Sequence, residues 1–142
     1  MKKIRELLES KGMETWSIAP SAKVYEALAL MADKNIGALL VMDHDRLVGI
    51  LSERDYTRNV VLRGRTAKDT EVGEIMTARP VCVGPEQTVE DCMALMTDKR
   101  VRHLPVVEDN AVLGVISIGD AVKAIISEQQ FIIDQLELYI TS

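Results

Sequence analysis

Two stretches of the sequence share the pattern Gly-x-x-Ser-x-x-Asp, in which a hydroxyl and a carboxylate follow an apolar run. A serine with an acid three residues later is typical of a capping box, which satisfies free N–H groups where a helix begins. A strand leading into such a helix end also offers a phosphate N–H donors and a positive dipole, and the acid can accept hydrogen bonds from a ribose diol. The pattern therefore predicts either a purely structural helix cap or a phosphate- and ribose-binding element. Its residues are Gly49, Ser52 and Asp55 in the first stretch and Gly114, Ser117 and Asp120 in the second.

These stretches are the ends of an internal repeat. Residues 18–56 align with residues 83–121 without a gap, at a constant offset of 65 residues. So long a period indicates a duplicated pair and not a solenoid of many short units. Identical pairs include Pro20/Pro85, Val24/Val89, Ala29/Ala94, Leu30/Leu95, Met31/Met96, Asp33/Asp98, Lys34/Lys99 and Val41/Val106.

Each copy predicts the same order of elements. Val24, Leu28 and Met31 fall on one face of a helix, and the second copy repeats this spacing. Two apolar runs separated by a polar turn then predict a hairpin, and a second helix follows. The predicted elements are strands over 17–19 and 81–83, helices that begin behind Pro20 and Pro85, hairpins of Ala38–Met42 with Leu47–Leu51 and of His103–Val107 with Val112–Ile116, and closing helices over 53–63 and 118–127.

The predicted fold class is α/β (α+β): two tandem β-α-β-β-α units, with additional helices at the N- and C-termini. A unit of about 60 residues buries little surface alone, so we expect the two units to pack sheet against sheet around a pseudo-two-fold axis. We expect the first domain over residues 13–64, a linker over 65–76 whose residues 65–70 are polar and helix-poor, the second domain over 77–127 and a helical extension over 128–142.

Composition narrows the functional classes. The net charge of -5 and the pI near 5.1 argue against nucleic-acid binding, since an acidic surface repels phosphodiesters. No apolar run approaches the roughly 18 residues that cross a bilayer, and the N-terminal MKKIRELLES predicts a short amphipathic helix, not a signal peptide. We therefore expect no nucleic-acid partner, no membrane association and a cytoplasmic location.

No catalytic or metal-binding pattern is evident. The two cysteines, Cys82 and Cys92, form no Cys-x-x-Cys motif and are most simply core residues, although a redox role stays open. The repeated serines have no evident histidine partner, and no glycine-rich phosphate loop occurs. We expect a protein that is not an enzyme and requires no metal or cofactor. A ligand-independent interaction adaptor and a nucleotide-modifying enzyme are the alternatives.

The repeat, its two motif ends and the string Arg102-His103-Leu104-Pro105-Val106 resemble the paired domains named after cystathionine β-synthase, the CBS domains. The strings GILSERDY, GRTAKDTEVGEIMT and VISIGD resemble stand-alone CBS pairs (Bateman modules). The resemblance implies a regulatory module that senses energy or redox state, holds AMP, ADP, ATP or NAD in clefts between the two domains and signals to a separate protein. It implies ribose contacts by Asp55 and Asp120, and hydroxyl contacts by Ser52 and Ser117. The implied adenine contacts are Ile18, Ile36, Gly37, Ala38, Thr77, Val81, Arg102, His103, Leu104 and Pro105.

The two implied clefts have different cationic residues. The second copy has Arg102 and His103 where the first has Gly37 and Ala38, whereas Arg54 lies in the capping box of the first copy. Arginine donates two parallel hydrogen bonds to a phosphate. We therefore expect the clefts to differ in their preference for phosphorylated ligands.

Residues 124–140 predict a helix that continues beyond the repeat, with Ile125, Ile132, Leu136 and Tyr139 near one face. An apolar stripe without a core of its own to cover usually meets a partner, so we expect a homodimer. Packing of the stripe against its own module is the alternative.

Overall fold

The computed structural model describes residues 2–141, and the chain divides into two compact units. The first unit is formed by Glu14–Val81 with the short segment Asn110–Val112, and the second by the segment ending at Met13 together with Cys82–Asp109 and the chain from Leu113 onward. Each unit contains one copy of the repeat, and the mixed α/β class is confirmed. The elements are α1 (Ile4–Lys11), β1 (Ser17–Ile18), α2 (Val24–Lys34), β2 (Ala38–Asp43), β3 (Arg46–Ser52), α3 (Glu53–Asn59), α4 (Val72–Ile75), β4 (Thr77–Ala78), α5 (Val89–Lys99), β5 (His103–Glu108), β6 (Ala111–Ser117) and α6 (Ile118–Thr141).

The first unit is built on a sheet of order β1-β2-β3-β4. β1 lies parallel to β2, and both β2–β3 and β3–β4 are antiparallel. The β2–β3 register shifts between Val41 and Met42, close to the hairpin turn. Apolar residues of β2 and β3 pack against α2, as the alternation of side chains along a strand requires. The buried cluster consists of Val24, Ala27, Met31, Leu39, Val41, Leu51, Val60, Val72 and Ile75.

The second unit contains the β5–β6 hairpin, α5, α6 and α1. The strand predicted over residues 81–83 is wrong. Val83 makes a single parallel bridge with Val106, in which its N–H donates to Pro105 O at 3.0 Å and its carbonyl accepts from Val107 N at 2.9 Å. The core of the second unit is formed by Ile4, Leu7, Leu8, Val83, Val89, Cys92, Met96, Leu104, Val106, Ile116, Ala121 and Ala124.

Helix α4 closes the first unit. Val72 N donates to Ala22 O and Gly73 N donates to Pro20 O, both at 2.8 Å, while Val72 and Ile75 are buried. A 3₁₀ turn over Ala67–Asp69 precedes it. The segment 65–76, predicted as a linker, thus contributes Val72 and Ile75 to the core of the first unit. The boundaries proposed for the two domains stay predictions.

Helix α1 closes the second unit with the same contacts. Ile4 N donates to Gln87 O and Arg5 N donates to Pro85 O, both at 2.9 Å. These acceptors are the repeat partners of the two acceptors in the first unit, and Ile4 and Leu7 are buried as their counterparts on α4 are. The helix that precedes each copy in the chain thus completes the unit of the other copy.

The closing helices of the two copies differ from their predicted lengths. α3 ends at Asn59, where Val60 departs from helical geometry (φ -115°), and a 3₁₀ turn over Val61–Arg63 leads to the left-handed Gly64. α6 instead continues without interruption to Thr141, so the predicted tail helix and the closing helix are one. Within residues 2–141, no helix combines the length and apolar character needed to cross a bilayer.

Candidate functional site

The capping box predicted for the first copy is present where β3 meets α3. Ser52 N donates to Asp55 Oδ2 at 2.9 Å, and Asp55 N donates to Ser52 Oγ at 3.2 Å. The other carboxylate oxygen, Oδ1, accepts from Thr77 Oγ1 at 3.4 Å. The box therefore fixes the carboxylate through one oxygen and presents the other to β4.

Other predicted site residues of the first unit surround this box. Ala38 lies opposite Ser52 in the β2–β3 ladder, and Gly37 O accepts from Glu53 N at 3.1 Å. Thr77 lies opposite Ile50 on the other side of β3. Among the remaining predicted residues of this unit, Arg54 is exposed on α3, Ile18 pairs with Val41 at the far side of β2, and Val81 is half-buried beyond β4.

A cavity of about 530 Å³ opens beside this box, between α2 and α3. Ile36 and Gly37 contribute to its wall, together with Glu53 and Tyr56, which sequence reasoning did not select. The periodicity of α2 pointed only to its buried face, so it gave no signal for this cavity. The lining residues are Leu28, Met31, Ala32, Asn35, Ile36, Gly37, Glu53, Tyr56 and Thr57.

The second unit contains the matching box where β6 meets α6. Ser117 N donates to Asp120 Oδ2 at 2.9 Å, and Asp120 N donates to Ser117 Oγ at 3.1 Å. Ile118 N donates to Arg102 O at 2.9 Å, the counterpart of the Glu53–Gly37 bond. The backbone frame of the two boxes is thus the same.

Lys11 is a residue of this second box that sequence reasoning missed. Its ammonium lies 2.5 Å from Asp120 Oδ2 and donates to Val115 O at 2.7 Å. Lys11 directly follows MKKIRELLES, the predicted amphipathic helix, and the sequence carried no signal for the unit on which that helix packs.

The charge state of Asp120 follows from these partners. Partial burial acts to raise the pKa of this carboxyl, but the Lys11 ammonium and the hydrogen bonds from Ser117 outweigh burial and hold the pKa below its ordinary value. Asp120 is therefore an anion at neutral pH, already paired with a cation.

The other predicted residues of the second unit divide by burial. Arg102 is exposed and His103 is half-buried, so their side chains can meet a ligand. Leu104 and Pro105 are buried, and Leu104 has no exposed surface.

The two thiols have environments that suppress their reactivity. Cys92 is buried as predicted, whereas Cys82 is exposed, so the interpretation of both cysteines as core residues is wrong for Cys82. Burial, with the nearby charge of Asp91, raises the pKa of Cys92 to about 11, and the desolvation that remains at Cys82 also raises the pKa of that thiol. A protonated thiol is a poor nucleophile and a poor metal ligand. Over residues 2–141, no three or more His, Cys, Asp or Glu side chains are grouped so that they could hold a metal ion.

The repeated capping boxes and the repeated fold correspond to a known sequence family. The model of the CBS domain matches residues 13–62 and 72–127. The chain belongs to the CBS domain family.

Similar proteins include other CBS-domain proteins. The CBS domain-containing protein CBSX3, mitochondrial, of Arabidopsis thaliana is 39% identical over 147 residues, covering 96% of this chain and 71% of that protein. A solved structure of a CBS-domain protein from Burkholderia ambifaria MC40-6 is 46% identical, with a TM-score of 0.87, and covers 90% of this chain and 96% of that one. These similarities confirm the CBS-pair fold and place the chain among regulatory CBS-domain proteins.

A more distant neighbour shares the fold alone. The CBS domain pair of protein MJ0100 is 20% identical with a TM-score of 0.80, covering 90% of this chain and 98% of that one. That structure is a complex with 5'-methylthioadenosine and S-adenosyl-L-methionine.

Proposed function

We propose that this protein is a regulatory module that binds an adenosine-containing ligand, such as AMP, ADP, ATP or NAD, and signals energy or redox state to a separate protein. The observation that carries the proposal is the half-buried carboxylate held by a capping box in each unit. A ribose diol donates hydrogen bonds, and a fixed carboxylate is the matching acceptor. The adenosine moieties bound by the MJ0100 pair support this ligand class.

The remaining site residues are assigned by the same proposal. In the first unit, Ser52 and Thr77 lie within hydrogen-bonding distance of Asp55 and are proposed to contact the ligand's hydroxyl groups and base. The apolar positions Ile18 and Ile36 are proposed to contact the adenine ring. In the second unit, Ser117 and Asp120 have the ribose role, and Arg102 and His103 meet the phosphate.

We propose that the protein binds the nucleotide and does not catalyse a reaction on it. The carboxylate that would have to act as a base in the second unit, Asp120, is ion-paired with Lys11, and its pKa is lowered. A depressed pKa makes a carboxylate a weaker proton acceptor. Incubation with ATP or NAD should therefore leave the nucleotide intact.

The test is a calorimetric titration of the full chain with AMP, ATP, NAD and, for comparison, GMP. We expect adenine nucleotides to bind, and the double variant Asp55→Ala with Asp120→Ala to weaken binding at both sites about ten- to a hundredfold. If no adenine nucleotide binds or raises the melting temperature, the ligand-independent adaptor is the correct function.

A homodimer is the proposed assembly. The C-terminal half of α6 presents apolar side chains to solvent, with Ile132 51% and Leu136 56% exposed. A stripe of this kind on a long helix is typical of an interface between helices. We propose that two copies of the chain pair through it.

A further inference from the structure

Asp55 and Asp120, the acids of the two capping boxes, accept side-chain hydrogen bonds from different kinds of residue. In the first unit, Thr77 lies opposite Ile50 on β3 and donates its hydroxyl to Asp55. In the second unit, the repeat partner of Ile50 is Val115, and its carbonyl accepts from Lys11 Nζ, which also lies against Asp120. A flexible ammonium thus lies against the acid of the second unit, at Oδ2, whereas a neutral hydroxyl on a strand lies against the acid of the first, at Oδ1.

The position of Lys11 is fixed by the helix that carries it. Helix α1 is anchored by the buried Ile4, Leu7 and Leu8, and it ends where Gly12 N donates to Leu8 O at 2.7 Å with Gly12 in positive φ. Helix α4 of the first unit is four residues long, whereas α1 has eight. The additional length places Lys11 beside the box, at the point where the first unit has β4.

The ion pair changes which ligands the second box can hold. Asp120 Oδ2 already accepts from Ser117 N and from Lys11, so a ribose diol that uses both carboxylate oxygens must displace the ammonium from one of them. The phosphate of a phosphorylated ligand is a second anion with which the Lys11 ammonium can pair. Because a lysine stem has freely rotating bonds, its charge can turn from the carboxylate to the phosphate without moving the helix. In the first unit, Thr77 carries no charge and offers no such selection.

We propose that Lys11 is a specificity-determining residue that makes the second-unit site selective for phosphorylated nucleosides over neutral ones, while the first-unit site accepts both. This rests on the proposed binding of adenosine ligands. The ligand class of the second site is an adenosine carrying at least one phosphate, which contacts the Lys11 ammonium while its ribose diol contacts Asp120.

The test measures AMP and adenosine by calorimetry in an Asp55→Ala background, in which the second-unit site is studied alone. We expect AMP to bind this site about tenfold or more tightly than adenosine, the ratio that one charge-assisted hydrogen bond supplies. Lys11→Gln keeps a donor for Val115 O but removes the charge, and should lower the ratio about tenfold. Lys11→Met, which keeps the aliphatic stem alone, should do the same.

Lys3→Gln is the matched control, because Lys3 precedes the same helix and pairs with the exposed Glu86 at 3.1 Å, outside the site. It should leave the ratio unchanged. In an Asp120→Ala background, which isolates the first-unit site, AMP and adenosine should differ little and Lys11→Gln should have no effect. Binding of AMP with an unaltered ratio in Lys11→Gln would overturn this inference alone. Failure of the parent protein to bind AMP or adenosine at all would overturn the proposed function and this inference with it.

Discussion

Leu8 packs so closely on Gly114 that a Cβ added to this glycine would lie 2.7 Å from Leu8 Cδ2. The repeat partner Gly49 is approached by the residues that follow α4, since its Cβ would lie 2.5 Å from Met76 Sδ and 2.9 Å from Thr77 O. The glycine of the Gly-x-x-Ser-x-x-Asp pattern is therefore required in both copies by the segment that closes the unit.

Alanine at these glycines should destabilise the protein. Gly49→Ala meets a backbone oxygen, which cannot rotate away, and should cost about 2–3 kcal/mol, whereas Gly114→Ala meets the end of a leucine side chain and should cost about 1–2 kcal/mol. Gly119→Ala is the control, because its Cβ would meet only Ser117 Oγ at 3.7 Å and alanine favours the helix. Urea unfolding of the three variants checks this order, and equal stabilities for Gly49→Ala and Gly119→Ala would contradict it.

The sequence was sufficient for features that depend on local periodicity or on the repeat. The helices Val24–Lys34 and Val89–Lys99 follow from apolar spacing, and both capping boxes follow from Ser and Asp positions. The ion pair of Lys11 with Asp120 joins residues 109 apart, and no local pattern specifies that contact. The strand expected at 81–83 failed for a related reason. An isolated bridge at Val83 requires only one residue with extended backbone, and apolar side chains at 81–83 do not by themselves lengthen that bridge into a strand.

Removing a capping carboxylate should separate its role in helix stability from its role in ligand binding. Thr88 and Asp91 form a further capping box, at the start of α5, in which Thr88 N donates to Asp91 Oδ2 at 3.0 Å. Asp91→Ala and Asp120→Ala should both lower the free energy of unfolding by about 1 kcal/mol, the usual contribution of a cap.

Only Asp120→Ala should also weaken binding of AMP, by about ten- to a hundredfold, because a charge-assisted hydrogen bond contributes about 1.5–3 kcal/mol. Chemical denaturation gives the first comparison and calorimetry the second. Equal AMP affinities in the two variants would leave Asp120 with the capping role alone.

The stability contributed by the Lys11–Asp120 pair should depend on pH with a defined sign. The pKa of Asp120 is lowered in the folded protein, so its contribution is fully present above the ordinary aspartate pKa of about 4 and is lost as pH falls through the folded value. The difference in unfolding free energy between the parent and Lys11→Gln should therefore be constant from pH 7 to about pH 5 and shrink below about pH 4.

Urea titrations at pH 7, 5 and 3.5 provide the measurement. In an Asp120→Asn background there is no carboxylate to protonate, so Lys11→Gln should have the same effect at every pH. A parent-to-variant difference that stays constant down to pH 3.5 would show that the pair does not contribute through its charge.

Pairing through α6 can be tested by deletion and by a single charge. Removing residues 128–142 should convert a dimer into a monomer, as measured by light scattering, because the deletion removes the exposed apolar stripe. Ile132→Lys should do the same at micromolar concentration. Gln130→Lys adds the same charge about 200° around the helix from Ile132 and should leave the dimer intact. A truncated chain that remains dimeric would place the interface outside residues 128–142, and a monomeric parent would end the proposal.

Arg102 should also contribute to phosphate preference in the second unit, independently of Lys11. Its side chain is exposed while its carbonyl is held by Ile118 N, so the backbone position survives when the side chain is removed. Arginine retains its charge at every accessible pH, so Arg102→Ala should weaken AMP binding about tenfold while adenosine binding stays within about twofold. Arg54→Ala, on the exposed surface of α3, should change only the first-unit site. Titrations of both variants with AMP and adenosine, in the Asp55→Ala and Asp120→Ala backgrounds, assign each effect to its unit. If Arg102→Ala weakened AMP and adenosine equally, the residue would act on the nucleoside and not on the phosphate.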